Sequence, residues 1–275
     1  MVRYRVSVCG APHDVRVLAP DAPGTPLLLR NGVAASDRVL EHIAAHLPGR
    51  PILIVDSPQV GLSLVPKTLL IAAAVHKAGF EEIDVLGVSY GGAEAQQLAL
   101  NSALASRLKP AMPVSRVRRM VLISTSPNAV PGKPSALLAL TAASFAPNSQ
   151  KRLARVIHGD AATADVMELL GGPHASPRKA ASNVVSLVGW TSLPFLRFLK
   201  LPVKVIHGDA DMLVPAVNAK IMARLLPNAD LELWPGEGHL LVLTRAAEIG
   251  KTIVDFLGDD GRDATLGEPP LPLAA

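Results

Sequence analysis

The sequence predicts an α/β protein, in which a mostly parallel β-sheet is covered by helices on both faces and a helical segment is inserted late in the chain. Short apolar runs alternate with helix-like runs along most of the sequence, as in sheets built from β-α-β units. Most of the apolar runs are nearly continuous, which is typical of parallel strands buried on both faces. One of them, residues 82–88, runs directly into a Gly-x-Ser-x-Gly motif and a helix-like segment at 93–104.

Eight segments have the pattern of strands. The first two alternate between apolar and polar residues, at 3–8 and 13–18, and Gly10-Ala11-Pro12 predicts the turn between them. The others are short and apolar: residues 26–30, 51–56, 82–88, 118–124, 202–207 and 230–234. Helix periodicity predicts further helices at 37–47, where Ser36 offers an N-cap, and at 67–77 and 246–256.

The alternation of strands and helices stops between residues 126 and 202. Helix-like pieces with Pro and Gly between them occupy that stretch, at 135–143, 150–156, 164–170 and 178–188. We therefore expect a core formed by residues 1–126 and 202–257 and a helical lid insertion formed by residues 127–201. The remaining 258–275 are rich in Gly, Pro and charged residues, a composition that predicts a disordered tail.

Composition excludes several classes of protein. A net charge of +4 from 27 basic and 23 acidic residues is too balanced to indicate a nucleic-acid partner, and no basic–aromatic interleaving supports one. Cys9 is the single cysteine, so no internal disulfide forms. The N-terminus lacks the apolar core of a signal peptide, and no apolar run reaches the length of a transmembrane segment. These features predict a cytoplasmic protein without a transmembrane segment.

Ser89 is the candidate nucleophile. In Gly87-Val88-Ser89-Tyr90-Gly91, a strand precedes and a helix follows, the context in which this motif forms a nucleophile elbow. Gly87 and Gly91 lack the Cβ atoms that would collide where strand and helix cross. The alternative is a glycine-rich turn with an incidental serine, and the flanking strand and helix favour the elbow.

A serine nucleophile needs a base, and the base needs an acid that orients it. His239 follows the last predicted strand and is the candidate general base, although a loop histidine can also simply cap a helix. Asp211 and Asp209 both follow the strand at 202–207. Asp211 is favoured as the acid because it lies deeper in that loop, and Asp209 is the alternative, with capping of the turn as its ordinary role.

The negative charge that develops on a carbonyl oxygen needs backbone N–H donors. Tyr90, next to the nucleophile, is predicted to supply one of them. The other is expected from the loop 31–33, with Val33 as the candidate, and Asn31 either braces that loop or makes a turn.

No metal or cofactor is expected. His42 and His46 are four residues apart on a predicted helix, but Ile43 stands where a zinc-protease helix has Glu, and no third ligand is evident. Gly171-Gly172 lacks the preceding strand and the following Lys-Ser/Thr of a phosphate-binding loop.

The sequence resembles the α/β-hydrolase superfamily over roughly residues 1–257, and within it the intracellular depolymerases of medium-chain-length poly(3-hydroxyalkanoates). The resemblance implies a triad of Ser89, Asp211 and His239. It also implies hydrolysis of an ester of a 3-hydroxy fatty acid through an acyl-serine, without metal or cofactor. Two positions depart from the pattern, since Gln59 stands where such hydrolases commonly have Gly and Tyr90 where this family usually has Trp. The stretches that carry the resemblance are residues 29–34, 87–93, 95–97, 130–134, 189–192 and 238–246.

The favoured hypothesis is a serine hydrolase that cleaves carboxylic esters, most specifically a poly(3-hydroxyalkanoate) depolymerase-like esterase. A small-ester carboxylesterase or thioesterase is the alternative within the same class. A non-catalytic, ligand-binding relative is the alternative from another class, and the complete Ser, Asp and His set disfavours it. The substrate is then a small-molecule or polymeric ester, and the apolar run at 136–140 suggests association with polymer granules.

Overall fold

The computed structural model describes residues 1–33, 35, 37–56, 63–108, 112–129 and 177–258, with the backbone alone at 177–180. Within these ranges one sheet contains the strands β1 (Val2–Val8), β2 (Ala11–Leu18), β3 (Leu27–Arg30), β4 (Ile52–Val55), β5 (Glu82–Val88), β6 (Arg116–Ile123), β7 (Val203–Gly208) and β8 (Ala229–Trp234). Their order across the sheet is β1-β2-β4-β3-β5-β6-β7-β8, and every pair from β4 to β8 is parallel. The predicted mostly parallel sheet is confirmed.

The first two strands form an antiparallel hairpin at the edge of the sheet, and β2 continues antiparallel onto β4. The turn is shorter than the predicted Gly10-Ala11-Pro12 and lies earlier in the chain. Cys9 and Gly10 make the turn, both with positive φ, while Ala11 and Pro12 already pair with β1. Two central residues with positive φ are what a tight hairpin turn requires, and only Gly10 in this stretch reaches that region without strain.

The helices follow the strands as the alternation predicts. They are α1 (Asp37–Ala45), α2 (Leu64–Lys77), α3 (Tyr90–Leu108), α4 (Pro177–Ser186), α5 (Val217–Leu225), α6 (Leu241–Thr244) and α7 (Ala246–Leu257), with a 3₁₀ turn at Leu196–Phe198. Helix α2 begins three residues earlier than predicted because the Ser63 hydroxyl caps it by accepting the Val65 N–H. Helix α3 also begins early, at the residue directly after Ser89.

Two apolar layers sandwich the sheet, because successive side chains of a strand point to opposite faces. Leu28 of β3 belongs to one layer, with α2, α3 and α5, whereas Leu27 and Leu29 belong to the other, with α1, α6 and α7. Helices therefore cover both faces, as the sequence predicted. The carboxyl ends of the parallel strands, where ligands bind in open α/β sheets, lie together at one edge.

The first residues of the predicted lid insertion pair with residues near its end. Asn128 and Thr191 form an isolated antiparallel bridge, Ala129 donates its N–H to the Trp190 carbonyl, and Ser192 donates to the Pro127 carbonyl. Helix α4 lies where the last helical piece of the insertion was predicted. Predictions that lie outside the described residues concern Ser36, Gln59, the pieces at 135–143, 150–156 and 164–170, the run at 136–140, Gly171-Gly172 and the tail after 258.

Candidate active site

Ser89 lies on a sharp turn between β5 and α3. Its φ of 54° is in the left-handed region, which non-glycine residues rarely adopt, so the local backbone is strained. The turn is held because the Ser89 N–H bonds the Ile123 carbonyl of β6 at 2.9 Å and the Ser89 carbonyl accepts the Gly92 N–H at 2.9 Å. Strain that the surroundings enforce in this way is characteristic of the nucleophile elbow.

The two glycines of the motif are required for different contacts. A Cβ on Gly87 would lie 2.2 Å from the Gly91 carbonyl oxygen, which is the predicted collision between strand and helix. A Cβ on Gly91 would instead meet the Arg30 carbonyl oxygen at 2.2 Å, at the end of β3. Gly91 therefore lets the elbow approach the strand that leads into the loop 31–33.

The structure brings the three predicted triad residues together. The His239 Nε2 atom is 3.0 Å from the Ser89 Oγ atom, and His239 Nδ1 is 2.8 Å from Asp211 Oδ2. They come from loops after three strands, β5, β7 and β8, at the carboxyl edge of the sheet. Both distances are those of direct hydrogen bonds, so one imidazole joins the hydroxyl to the carboxylate.

The second oxygen of Asp211 fixes the orientation of its carboxylate. Asp211 Oδ1 accepts the backbone N–H groups of Leu213 at 2.9 Å and Val214 at 2.8 Å. Burial alone would raise the pKa of Asp211. The charge of His239 and hydrogen bonds from His207, His239 and the Val214 N–H outweigh it and hold the pKa well below its usual range. Asp211 is therefore ionised at neutral pH.

Asp209 has the ordinary role that the sequence left open for it. Its side chain accepts the Gly236 N–H at 2.7 Å and the residue is exposed, whereas the His239 ring bonds Asp211. It ties the loop after β7 to the turn after β8. The choice of Asp211 over Asp209 as the partner of the histidine is supported by this geometry.

A glycine that the sequence reasoning passed over lets the histidine loop approach. A Cβ on Gly208, the last residue of β7, would lie 2.1 Å from the Glu237 carbonyl oxygen. The Glu237 side chain accepts the Thr244 hydroxyl at 2.9 Å, which fastens the same loop to α6. These contacts set the position of His239, two residues further along.

The residues predicted to donate to an oxyanion lie at the start of α3 and in the loop after β3. Tyr90 is the first residue of α3, and N–H groups in the first turn of a helix have no partner within that helix. Gly32 lies beside the nucleophile, since a Cβ built on it would be 3.9 Å from Ser89 Cβ. Val33 follows and packs against Tyr90 in a small apolar cluster. Asn31 makes a local turn by accepting the Gly32 N–H at 2.9 Å.

A buried polar cluster behind this edge was missed in the sequence. Glu94 of α3 lies between Arg30 of β3, at 2.7 Å, and Lys67 of α2, at 3.2 Å. Burial would raise the pKa of Glu94, but the charges of Arg30 and Lys67 and their hydrogen bonds hold it below its usual value. The only signal in the sequence was a charged residue inside each of three otherwise apolar or small segments.

His42 and His46, the candidate metal ligands, contact each other at the C-terminal end of α1. The His46 Nδ1 atom lies 3.0 Å from the His42 carbonyl oxygen, and the two rings pack edge to face with centroids 5.1 Å apart. In the described part of the chain, no three His, Cys, Asp or Glu side chains are grouped so that they could hold a metal ion. None of the helices in those ranges is both long enough and apolar enough to cross a membrane.

The fold and the elbow define a class, and comparison with known proteins identifies it. The sequence profile of the alpha/beta hydrolase family matches residues 8–251, so the chain belongs to that family. Over 265 residues it is 31% identical to a poly(3-hydroxyalkanoate) depolymerase of Ectopseudomonas oleovorans, covering 90% of this chain and 89% of the relative. The resemblance found in the sequence is confirmed.

Solved structures share the fold at low sequence identity. An esterase from Exiguobacterium antarcticum superposes with a TM-score of 0.74 at 18% identity, over 94% of this chain and 99% of the esterase. A bromoperoxidase from Bacillus anthracis gives the same TM-score and identity, over 94% of this chain and 100% of its own. An esterase and a bromoperoxidase thus share the architecture, so the fold alone does not select a substrate.

Proposed function

We propose that the protein is a serine hydrolase that cleaves carboxylic esters through an acyl-serine intermediate. The observation that carries the proposal is the hydrogen-bonded chain from Ser89 through His239 to Asp211, with separations of 3.0 and 2.8 Å. Membership of the alpha/beta hydrolase family supports the same chemistry.

Each triad residue has one task in this proposal. The Asp211 carboxylate accepts a hydrogen bond from the Nδ1–H of His239, which keeps the proton on Nδ1 and leaves Nε2 free to take the proton of Ser89. The Ser89 oxygen then attacks the ester carbonyl carbon as the proton moves to His239. The resulting oxyanion accepts the N–H groups of Tyr90 and Val33.

Collapse of this intermediate breaks the bond to the alcohol oxygen. His239 returns its proton to the departing alkoxide, which leaves as an alcohol, and the acyl group stays on Ser89. A water molecule then gives a proton to His239 and attacks the acyl carbonyl. The carboxylic acid is released when His239 reprotonates Ser89, so the enzyme is regenerated without any external reactant other than water.

Within this class, the proposed substrate is a polyester of 3-hydroxy fatty acids or its oligomers. Support comes from the 31% identity to the depolymerase across nearly the whole of both chains. Two segments characteristic of the resemblance also contact each other. Ser192 donates its hydroxyl proton to Gln96 Oε1 at 2.6 Å, and Trp190 Nε1 donates to Gln97 Oε1 at 2.9 Å. Through these bonds, the segment after the predicted lid is fastened to α3.

The test is hydrolysis of p-nitrophenyl esters from acetate to decanoate, beside a suspension of medium-chain polyhydroxyalkanoate, with Ser89→Ala as the control. Activity that rises with chain length, with clearing of the suspension by the wild type alone, supports the depolymerase. Activity confined to short esters would support ester hydrolysis but contradict the polyester as substrate. Absence of any Ser89-dependent turnover would contradict the proposal and favour a ligand-binding relative.

Granule association is part of the same proposal and rests on the apolar run at 136–140. Its test is co-sedimentation of the full chain with polymer particles, comparing Leu138→Asp with the wild type. Equal binding of the two proteins would contradict a docking role for this run.

A further inference from the structure

Both residues proposed to donate to the oxyanion touch one buried polar cluster. Tyr90 reaches it through its phenol, which accepts a hydrogen bond from Lys67 Nζ at 2.8 Å. Val33 reaches it through its carbonyl oxygen, which accepts the Asn183 side-chain N–H at 3.0 Å. Lys67 joins the two halves, because its ammonium also donates to Asn183 Oδ1 at 2.6 Å.

The phenol of Tyr90 is held by several polar neighbours. Lys67 donates to the Tyr90 oxygen, and Ser186 Oγ lies 2.9 Å from the same oxygen. Ser186 is itself held by donating to the Asn183 carbonyl at 2.7 Å. Burial, and after it the negative charge of Glu94, raises the pKa of Tyr90, so that the phenol keeps its proton.

The cluster combines elements that are distant in sequence. Lys67 belongs to α2, Tyr90 begins α3, and Asn183 and Ser186 lie on α4 within the predicted lid insertion. All four side chains are buried, and Lys67 is also paired with Glu94 at 3.2 Å. Buried hydrogen-bonded groups resist displacement, because each lost bond leaves a desolvated polar atom.

We propose that Lys67 and Asn183 are positioning residues for the oxyanion hole, holding Tyr90 by its phenol and the 31–33 loop by the Val33 carbonyl. The inference rests on the proposed ester hydrolysis at Ser89. It makes α4 a condition for catalysis, since Asn183 reaches Val33 from that helix. An oxyanion hole works only when its donors stand within hydrogen-bond distance of the oxyanion, and a displacement near 1 Å lowers the rate about 100-fold.

The decisive variant is Asn183→Asp, which keeps an oxygen for Lys67 but replaces the N–H that Val33 accepts with a second oxygen. Its matched control is Asn101→Asp. Asn101 is also buried, and it donates to the Thr68 hydroxyl at 3.0 Å and the Val65 carbonyl at 3.4 Å, between α2 and α3. Both variants lose amide donors to a neighbouring element. The bonds of Asn101 go to α2 and to Gln97 of its own helix, whose N–H an Asp at 101 can still accept, and not to Tyr90 or Val33.

The measurements are kcat and KM on a soluble p-nitrophenyl ester, and the affinity for a trifluoromethyl ketone, which forms a tetrahedral adduct with the serine. For Asn183→Asp we expect kcat and ketone affinity to fall together by about 10- to 100-fold, with KM within about two-fold of the wild type. For Asn101→Asp we expect a lower melting temperature with unchanged kcat. Tyr90→Phe removes the phenol oxygen and should lower kcat without a comparable change in KM.

Equal kcat in Asn183→Asp, Asn101→Asp and the wild type would overturn the positioning role. If Asn183→Asp does not fold, an unchanged kcat in Tyr90→Phe would overturn it. Absence of Ser89-dependent turnover in the wild type would instead contradict the proposed ester hydrolysis, and with it the positioning role, which depends on that reaction.

Discussion

Replacing Asp211 with Asn tests the role of the acid through its hydrogen bonds. Asp211 Oδ1 accepts two backbone N–H groups, from Leu213 and Val214. The amide oxygen of the variant must stay at that position, because an NH₂ group there would face two donors. The amide NH₂ then takes the place of Oδ2, which lies 2.8 Å from His239 Nδ1.

This arrangement forces the wrong tautomer on the imidazole. Nδ1 has to accept from the new amide, so the proton moves to Nε2, which faces Ser89 Oγ at 3.0 Å. A protonated Nε2 cannot accept the serine proton, and the general base is lost. From the behaviour of such triads we expect kcat to fall by about 10³- to 10⁴-fold, equivalent to about 4–5.5 kcal/mol in the activation free energy.

The assay is steady-state hydrolysis of a p-nitrophenyl ester at neutral pH, with Asp209→Asn as the matched control. Asp209 caps an exposed turn, so its variant should retain kcat within about three-fold, as surface changes away from a site usually do. A loss of less than about ten-fold in Asp211→Asn, or a larger loss in Asp209→Asn, would refute the assignment of the acid.

Three further variants test the framework. Gly208→Ala puts a Cβ 2.1 Å from the Glu237 carbonyl oxygen; it should lower the free energy of unfolding by about 1–3 kcal/mol and kcat by more than about ten-fold. Urea unfolding and the ester assay check this, and wild-type kcat would contradict it. Arg50→Met leaves the fully buried Asp84 with only part of its pairing; urea unfolding should show a loss of about 3 kcal/mol with kcat unchanged, and a loss below about 1 kcal/mol would contradict it. The pKa of Glu94 is lower in the folded protein than its value near 4.5 in the unfolded chain. Ionised Glu94 therefore stabilises the fold at pH values above about 4.5, and this contribution is lost as the pH falls below that value. The stability gap between the wild type and Glu94→Gln should therefore narrow from pH 6 to pH 3, as thermal melts at each pH would show, and a constant gap would argue against an ionised Glu94.

The sequence was sufficient for the framework because the signals are local. Apolar runs and their alternation predicted the sheet and the helices on both of its faces. Ser89, Asp211 and His239 could be selected because each follows a predicted strand, and the carboxyl ends of parallel strands meet at one edge. The hairpin turn was misplaced at Gly10-Ala11-Pro12, since proline is a general turn signal, whereas here Pro12 lies in the first part of β2, which pairs with β1 but not with β4.

The buried cluster could not be predicted because its contacts are not local. Lys67 and Asn183 are 116 residues apart, and neither carries a spacing pattern that would pair them. A lysine in a helical segment is ordinarily expected to be exposed to solvent, because a buried ammonium needs charged or hydrogen-bonding partners. The partners of Lys67, Glu94 and Tyr90, can be identified only in the structure. The requirement for glycine at 208 could not be predicted for the same reason, because the backbone that comes close to it, at Glu237, is distant in sequence.

The most direct test of the central claim is covalent labelling of the intact protein by a fluorophosphonate, followed by mass spectrometry. The reagent requires an activated serine, and its adduct, formed as fluoride leaves, places a phosphoryl oxygen where the ester oxyanion would lie. We expect one adduct per chain, on Ser89, with no labelling of Ser89→Ala and at least about 100-fold slower labelling of His239→Asn. Absence of label on Ser89 in the folded wild type, or equal labelling rates in the wild type and His239→Asn, would contradict a serine nucleophile activated by His239.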